Sequence, residues 1–299
     1  MQHALLDWWE RRGRDLPWRR SRDPWRVLVS ELMLQQTQVP RVAQRYDDLL
    51  ERFPTPAVCA AAPTGDVVRA WAGLGYNRRA VNLHRCAREV VDRFDGRLPD
   101  DLSGLLSLPG IGPYTARAVL VFAFGHDIGL IDTNAGRFVA RALGGRSLLQ
   151  SEAQRLATEA VPAGRGWEWG QAVFDLGAEV CTRRSPSCPD CPARAHCRWF
   201  RAGCPPPDPV TGSAGIGRGQ SRFAGSDRQG RGRLVDALRV GPVARSALAR
   251  TMGWPDDESR AVRVAAEVVA DGLATIDDAD HHYRLPDQPV PPLCRLGLE

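Results

Sequence analysis

The chain has 299 residues, of which 43% are hydrophobic and 25% charged, and its formal net charge is +5. This length and apolar content support the core of one large or two modest domains, so we expect an ordinary globular protein and exclude a largely disordered one. The mild positive charge permits nucleic-acid binding without requiring it.

The basic residues are all arginine, because the 40 Lys and Arg positions include no lysine. Biased genome composition accounts for this usage, but its chemical consequence is that no side chain can form a Schiff base. The N-terminus lacks the basic and apolar regions of a signal peptide, and no window approaches the roughly 18 apolar residues of a membrane-spanning helix. We therefore expect a cytoplasmic protein with no membrane partner.

Helical periodicity runs through residues 1–201 with Pro or Gly at the breaks and no competing strand pattern. The expected helices cover about residues 4–11, 24–37, 40–52, 64–73, 78–93, 101–107, 151–161 and 168–180. In the second helix Glu31 stands among Leu28, Leu32 and Leu34, where loss of water would raise the pKa of its carboxyl group. An ion pair between Glu31 and an arginine is the structural alternative.

A glycine-rich segment, WAGLGYNRRA, separates two of these helices. Its glycines would let the backbone approach a ligand closely, with Tyr76 displayed beside them. Asn77, Arg78 and Arg79 would then be available for phosphate groups. A helix-capping role explains Gly75 equally well.

A second glycine-rich segment, LPGIGPYTA, lies between two expected helices, the later of which starts at Pro113. The pattern predicts a helix-hairpin-helix in which the exposed backbone N–H groups of Gly110 and Gly112 bind one DNA phosphate. A plain turn between two core helices is the alternative.

Asp132 follows an apolar triplet and precedes Asn134, so it can cap the helix that begins near Ala135. Capping does not exclude catalysis. A carboxylate that accepts hydrogen bonds from backbone N–H groups is expected to have a low pKa, and its negative charge can stabilise a developing cation.

Four cysteines, Cys181, Cys188, Cys191 and Cys197, form a C-x6-C-x2-C-x5-C pattern that can close on one inorganic centre. A tetrahedral zinc and a [4Fe-4S] cluster are both plausible, and we favour the cluster because only one pair has the spacing of a zinc knuckle. Metal-ligating thiols agree with a reducing cytoplasm. The remaining cysteines, which need no function, are Cys59, Cys86, Cys204 and Cys294.

The composition changes after this pattern. Residues 203–232 are rich in Pro, Gly, Ser and Arg and lack apolar periodicity, which predicts a flexible linker. Residues 233–286 regain order as three helices and a terminal hairpin, a small winged-helix-like module that either binds DNA or packs on the first domain. Residues 287–299 are expected to be disordered.

Together these segments resemble the MutY family of A/G-specific adenine DNA glycosylases in the helix-hairpin-helix, endonuclease III-like superfamily. The resemblance covers about residues 5–202 and is carried by SELMLQQTQV, WAGLGYNRRAVNLH, LPGIGPYTA, IDTN and the four-cysteine loop. It implies an all-α, two-lobed glycosylase domain over residues 1–202 with a [4Fe-4S] loop. A six-helix barrel would cover about residues 22–125, and a cluster lobe would combine residues 1–21 with residues 126–202.

The resemblance also implies an activity. The chain would be a monomeric base-excision repair enzyme that flips adenine out of double-stranded DNA and hydrolyses its N-glycosidic bond, where adenine is mispaired with 8-oxoguanine or guanine. Glu31 would be the general acid that protonates the purine, and Asp132 would stabilise the oxocarbenium-like sugar. Tyr114 and Asn134 match family positions that support this aspartate.

DNA contacts follow from the same resemblance. Gln36 and Tyr76 are similar in position to residues that enter the duplex when the base leaves it, and Thr37 to a contact with the opposite 8-oxoguanine. Arg183 and Arg184, which stand between the cysteines, would meet the DNA backbone.

Some features depart from related families. Endonuclease III-like enzymes carry a lysine where this chain has Tyr114, so no strand-cutting lyase step is expected. Thr133 stands where the MutY family often has glycine, and a shorter module stands where many members carry a Nudix-like domain that reads 8-oxoguanine. Two alternatives remain: an endonuclease III-like glycosylase of other base specificity, and a non-catalytic Fe–S protein that binds DNA.

Overall fold

The computed structural model describes residues 1–213, 222–277 and 281–287. Most of the predicted tail, from residue 288 onward, and residues 214–221 of the predicted linker lie outside these ranges. The described chain is helical apart from one small three-stranded sheet, which confirms the all-α class. Within the described ranges, no helix combines the length and the apolar character needed to cross a membrane.

The helices and strands include every predicted helix, but residues 40–52 form two helices instead of one, and Pro56–Ala61 and Arg198–Arg201 were not predicted to be helical. In chain order they are α1 (Gln2–Arg12), α2 (Pro24–Leu34), α3 (Val39–Ala43), α4 (Tyr46–Arg52), α5 (Pro56–Ala61), α6 (Thr64–Ala70), α7 (Arg78–Phe94), α8 (Leu102–Leu106), α9 (Pro113–Phe122), α10 (Thr133–Phe138), α11 (Gln150–Glu159), α12 (Gly166–Glu179), α13 (Arg198–Arg201), α14 (Asp227–Val240), β1 (Val243–Ala244), α15 (Leu248–Met252), α16 (Glu258–Ala270), β2 (Thr275–Asp277) and β3 (His282–Arg284). A π-helical segment, Val139–Gly144, continues α10.

The chain divides into two compact units. The first unit contains Met1–Leu32 and Leu98–Gln220, and the second contains Met33–Arg97 and Ser221–Glu299. These bounds differ from the predicted lobes, because residues 33–97 of the predicted barrel group with the C-terminal module.

A buried ion network anchors the N-terminal segment of the first unit. Asp175 on α12 has a fully buried side chain, and its carboxylate accepts hydrogen bonds from Arg14 Nε at 2.6 Å and Arg19 Nη2 at 2.8 Å. The indole N–H of Trp9 donates to the same group at 3.2 Å. Because a buried carboxylate needs such partners, this network fixes α1 and the following turn on α12.

The C-terminal module forms within the second unit. Helices α14, α15 and α16 accompany an antiparallel sheet in the order β1-β3-β2, in which Tyr283 pairs with Val243 on one side and Ile276 on the other. The elements are those predicted for the module, but its first helix already begins at Asp227.

Both ends of the predicted linker, residues 203–232, are structured, because its start packs on the first unit and its last residues belong to α14. At its start, Asp208 pairs with Arg141 at 2.6 Å, and Ser213 Oγ accepts a hydrogen bond from the backbone N–H of Leu148 at 3.1 Å. Val210 is buried as well. Composition failed to reveal this docking because a few isolated contacts, rather than a periodic apolar face, hold the segment.

Candidate active site

Glu31 lies on α2 with 6% of its surface exposed. Burial raises the pKa of its carboxyl group from the ordinary 4.5 to about 7, in the direction predicted from its apolar neighbours. A hydrogen bond from the Tyr114 hydroxyl opposes the rise, whereas the negative charge of Asp132 adds to it. The structure therefore places Glu31, Tyr114 and Asp132 in one cluster of interacting ionisable side chains within the first unit.

Tyr114 stands in the first turn of α9 and donates its hydroxyl hydrogen to Glu31. Burial, followed by the charges of Glu31 and Asp132, raises the pKa of this phenol well above its ordinary value. Tyr114 consequently keeps its proton at neutral pH and can serve as a hydrogen-bond donor.

Asp132 caps α10, as predicted. Its Oδ1 accepts hydrogen bonds from the backbone N–H groups of Asn134 at 2.9 Å and Ala135 at 2.6 Å. The expectation of a low pKa is wrong, however, because burial raises the pKa of Asp132 despite these bonds and the nearby positive charge of Arg137. The capping pattern was visible in the sequence, but the loss of hydration was not.

Arg137 is a site residue that sequence reasoning missed. Its Nη2 donates to Asn134 Oδ1 at 2.7 Å, its Nη1 to the carbonyl of Thr133 at 2.7 Å, and its Nε to the carbonyl of Cys181 at 2.9 Å. Arg137 thus joins the helix that Asp132 caps to the first residue of the cysteine pattern. An arginine one turn after a capping aspartate was the available signal, but helical periodicity alone does not mark it.

The predicted helix-hairpin-helix is present as α8, a turn and α9. Gly110 adopts a left-handed conformation with φ of +78°, which a glycine tolerates without strain. Ile111 is buried and anchors the turn, whereas Gly110 and Gly112 are exposed. This arrangement leaves the hairpin backbone accessible to a phosphate group.

Two neighbouring loops of the second unit carry the residues that were predicted to enter DNA. Helix α2 ends at Leu34, three residues earlier than predicted, so Gln36 and Thr37 are in a turn. Gln36 and Tyr76 are both exposed, and both adopt positive φ values, of +55° and +45°. Residues other than glycine seldom adopt this left-handed backbone conformation. The contacts around Gln36 and Tyr76 must therefore impose the conformation of both loops.

Arg79 supplies these contacts. It is 6% exposed, and its guanidinium donates to the carbonyls of Met33 at 2.8 Å, Gln35 at 2.6 Å and Leu74 at 3.1 Å. It donates to Thr37 Oγ1 at 2.9 Å as well. The further acceptors are the carbonyls of Gly75 at 3.0 Å and Tyr76 at 3.4 Å.

The prediction that Arg79 is available for phosphate is therefore wrong, whereas Arg78 remains largely exposed. Arg79 points inward to the two loops, Arg78 pairs with Asp271 at 3.2 Å, and Asn77 accepts a hydrogen bond from Arg239 at 2.8 Å. A run of polar residues after a glycine turn does not distinguish solvent-facing side chains from buried ones.

The four cysteines of the pattern line one cavity that contains about 370 Å³ of empty space, some of it open to solvent. Burial raises the pKa of the thiols of Cys188, Cys191 and Cys197, and for Cys191 the value is about 11. Among the described residues, no three His, Cys, Asp or Glu side chains are close enough to hold one metal ion. The four thiols therefore line one shared space, which is the arrangement that a single inorganic centre bound by all four would need.

Arg141 anchors this cysteine loop. Its side chain is 2% exposed, and its Nη1 lies 3.4 Å from Cys181 Sγ and donates to the carbonyl of Thr182 at 2.7 Å. Its Nη2 donates to the carbonyl of Arg183 at 3.1 Å, while the side chains of Arg183 and Arg184 are exposed. The backbone of the loop is held, and its arginine side chains face solvent.

Comparisons with known proteins agree with this geometry. Residues 29–163 match the family described as HhH-GPD superfamily base excision DNA repair protein. The chain is 42% identical over 297 residues to an adenine DNA glycosylase of Mycobacterium tuberculosis, covering 95% of this chain and 93% of that protein. It is 39% identical over 209 residues to the human adenine DNA glycosylase, covering 65% of this chain and 38% of that protein.

A solved structure supports the fold. A thermostable thymine-DNA glycosylase superposes with a TM-score of 0.64 at 30% identity, covering 67% of this chain and 94% of that one. With an adenine DNA glycosylase matched over nearly its whole length, the chain belongs to the MutY family of adenine DNA glycosylases in the HhH-GPD superfamily, and it is a DNA N-glycosylase that removes adenine in base excision repair.

Proposed function

We propose that this glycosylase removes adenine opposite 8-oxoguanine or guanine, that it acts as a monomer, and that it leaves an abasic site without cutting the strand. The observation that carries the proposed chemistry is the buried Glu31 carboxyl group, whose pKa of about 7 keeps it substantially protonated at neutral pH beside Asp132. A carboxylic acid in this state can donate a proton to a base that has been flipped into the site.

In this mechanism Glu31 transfers its proton to the adenine ring, and the C–N glycosidic bond breaks with its electron pair moving to the base. Adenine leaves as a neutral molecule, and positive charge develops on the sugar. Asp132 stabilises that charge, and water then adds to the sugar carbon while its proton passes to the Glu31 carboxylate, which restores the acid. Tyr114 keeps the Glu31 carboxyl group oriented, and Asn134 supports Asp132 through the first turn of α10.

The absence of lysine from the sequence supports the monofunctional assignment. A lyase step requires an amine that forms a Schiff base with the sugar, and the residue at the corresponding hairpin position is Tyr114. Only the N-terminal amine could substitute. Borohydride should therefore trap no appreciable covalent adduct with an adenine:8-oxoguanine duplex.

DNA binding is proposed to use the hairpin at Gly110 and Gly112, the exposed Gln36 and Tyr76 with Thr37, and the cationic loop with Arg183 and Arg184. Unstacking a base costs a few kcal/mol, which contacts to phosphate and to the vacated space must offset. The four cysteines of the pattern would hold a [4Fe-4S] cluster, which, when bound, supplies structural rigidity to this loop. Thiol ligands require a reducing compartment, which supports a cytoplasmic location.

The decisive measurement is release of free base from duplexes that contain adenine opposite 8-oxoguanine, guanine or cytosine, with thymine opposite guanine as a further substrate. Adenine release that is fastest opposite 8-oxoguanine or guanine supports the proposal. Release of thymine in preference to adenine would instead favour a specificity like that of the thymine-DNA glycosylase whose fold the chain shares. Binding without release of any base would support the non-catalytic alternative.

A further inference from the structure

The C-terminal module was expected either to bind DNA or to pack on the first domain, and the arginines of its last helix are engaged internally. Arg260 and Arg263 on α16 both pair with Asp227 at 2.7 Å, and Arg263 pairs with Glu267 at 2.8 Å. Arg260 also lies over the ring of Trp254 at 4.0 Å. A helix whose cations are already neutralised by neighbouring carboxylates is poorly suited to contact phosphate.

The module instead packs against residues 64–85 of the same compact unit. The backbone N–H of Gly65 donates to the carbonyl of Pro286 at 3.2 Å, and the N–H of Thr64 donates to the Asp287 carboxylate at 2.9 Å. An added Cβ at Gly65 would lie 2.5 Å from the same carbonyl, so the two backbones meet closely. The hydrogen bond between the main chains of Gly65 and Pro286 therefore fixes the end of the module against the start of α6.

A single side chain extends this interface to the loop that carries Tyr76. Arg239, whose side chain is 10% exposed, donates from Nε to the carbonyl of Val68 at 3.1 Å and from Nη2 to Asn77 Oδ1 at 2.8 Å. Asp236 pairs with the third nitrogen of the same guanidinium. Because Asn77 directly follows Tyr76 and is the N-cap residue of α7, Arg239 contacts the same loop that Arg79 holds.

We propose that the C-terminal module is an intramolecular brace which, through Arg239 and Asn77, positions Tyr76 for base extrusion. This inference rests on the proposed function. Tyr76 has a positive φ, so its conformation depends on neighbouring contacts, and the planar Arg239 guanidinium ties it to both α6 and α14. Arg239 is thus a positioning residue, since it acts through Asn77 and Tyr76 rather than on the DNA.

The test uses the full-length protein and an adenine:8-oxoguanine duplex. We expect Arg239→Ala to reduce the single-turnover rate of adenine release about tenfold, the effect of losing one charge-assisted hydrogen bond, while duplex affinity changes less than twofold. With 2-aminopurine at the target position in a Glu31→Gln background, the fluorescence increase that reports unstacking should fall in parallel. Arg239→Lys, which retains the charge without the planar fork, should lose most of the same rate.

Asn77→Ala removes the acceptor of this hydrogen bond but leaves the Arg239 side chain in the protein. It therefore tests the contact even if Arg239→Ala folds poorly. The two substitutions should be non-additive, the double variant losing no more rate than either single one. Arg250→Ala, which removes an exposed arginine of the same module, is the matched control and should leave rate and affinity unchanged.

Two outcomes would overturn the brace. A wild-type rate in both Arg239→Ala and Asn77→Ala would show that the contact does not position the loop, and an equal loss of affinity and rate with a shallower salt dependence would assign Arg239 to DNA binding. Wild-type protein that releases no adenine would instead refute the proposed function, which separates the two failures.

Discussion

Glu31 and Asp132 are interacting carboxyl groups that lie in different hydrogen-bond environments. Burial raises the pKa of both. Asp132 accepts two backbone hydrogen bonds and lies near Arg137, whereas the hydrogen bond that lowers the pKa of Glu31 comes from a neutral tyrosine. The hydrogen bonds to Asp132 favour its charged form, and its negative charge adds to the raised pKa of Glu31, which is the pairing that the proposed acid and its proposed charge-stabilising partner need.

The first prediction concerns the pH dependence of adenine release. Because Glu31 must be protonated to act as the acid, the single-turnover rate should fall as pH rises through about 7, approaching a tenfold loss per pH unit. Glu31→Gln should lower the rate by about 10² to 10⁴-fold and abolish this limb. A residual rate in the variant with the same alkaline limb would assign the acid elsewhere.

The second prediction concerns stability. Since folding raises the pKa of Glu31 from 4.5 to about 7, the folded state retains a proton that the unfolded state releases in this window. The free energy of unfolding should therefore fall as pH rises from 4.5 to 7, with a Glu31 contribution of at most about 3 kcal/mol. Glu31→Gln removes that contribution, so the variant should be more stable than the wild type at pH 8.

Urea unfolding at pH 5 and pH 8 measures this difference. Glu159→Gln on α11 is the control, because Glu159 is exposed in a surface pair with Arg155 and should shift stability by less than about 1 kcal/mol at either pH. A Glu31→Gln variant that loses as much stability as the wild type between the two pH values would contradict the linkage.

Sequence patterns predicted these residues unevenly. The leucines around Glu31 lie on its own helix, so its desolvation could be read from local spacing. The burial of Asp132 and Arg79 comes from segments distant in sequence, which no local pattern contains. The raised pKa of Asp132 and the inward direction of Arg79 were therefore missed for the same physical reason.

At the scale of elements, Arg79 supplies the hydrogen-bond donors for backbone carbonyls of two loops that have no regular secondary structure. The last carbonyls of α2 lack helical partners. Arg79 binds the carbonyl of Met33 in α2, that of Gln35 in the following turn, and those of residues 74–76. One guanidinium thus holds the turns of both Gln36 and Tyr76. The sequence predicted the exposure of Tyr76 correctly, but it continued α2 to residue 37 because a terminating side chain from α7 is invisible to helical periodicity.

The third prediction follows from this geometry. Arg79→Lys keeps the charge but cannot reproduce the planar set of donors, so it should leave several buried carbonyls unsatisfied. We expect a loss of about 2 to 4 kcal/mol in the free energy of unfolding, and a rate of adenine release at least tenfold lower under conditions where the variant is folded. Denaturant unfolding and single-turnover kinetics measure the two effects.

Arg78→Lys is the matched control for this prediction. Arg78 precedes Arg79, but its side chain is 63% exposed in its pair with Asp271, so the change should cost less than about 1 kcal/mol. Equal effects of the two substitutions would show that the buried hydrogen bonds of Arg79 do not account for the loss.

At the scale of the whole molecule, arginines on α10 and on its π-helical continuation hold the cysteine loop to the helix that Asp132 caps. Arg137 contacts the carbonyl of Cys181 and the side chain of Asn134, and Arg141 contacts the loop at Thr182 and Arg183. The spacing of the cysteines predicted one inorganic centre, but not these anchors. Cys204, which was expected to be unrelated, lies close enough to Cys188 and Cys197 for its charge to raise the pKa of both, after the larger effect of burial.

The fourth prediction distinguishes Cys204 from the proposed ligands. Cys197→Ser removes a ligand and should lower iron and sulfide content, whereas Cys204→Ser should leave both at the wild-type level. Without the cluster, Arg183 and Arg184 lose their fixed position, so duplex affinity should fall and its salt dependence should become shallower by up to about two phosphate contacts. The pH profile of the residual activity should be unchanged, because the proposed acid, Glu31, is not part of this loop. Iron loss in Cys204→Ser, or an altered alkaline limb in Cys197→Ser, would contradict this separation of the structural loop from the acid–base site.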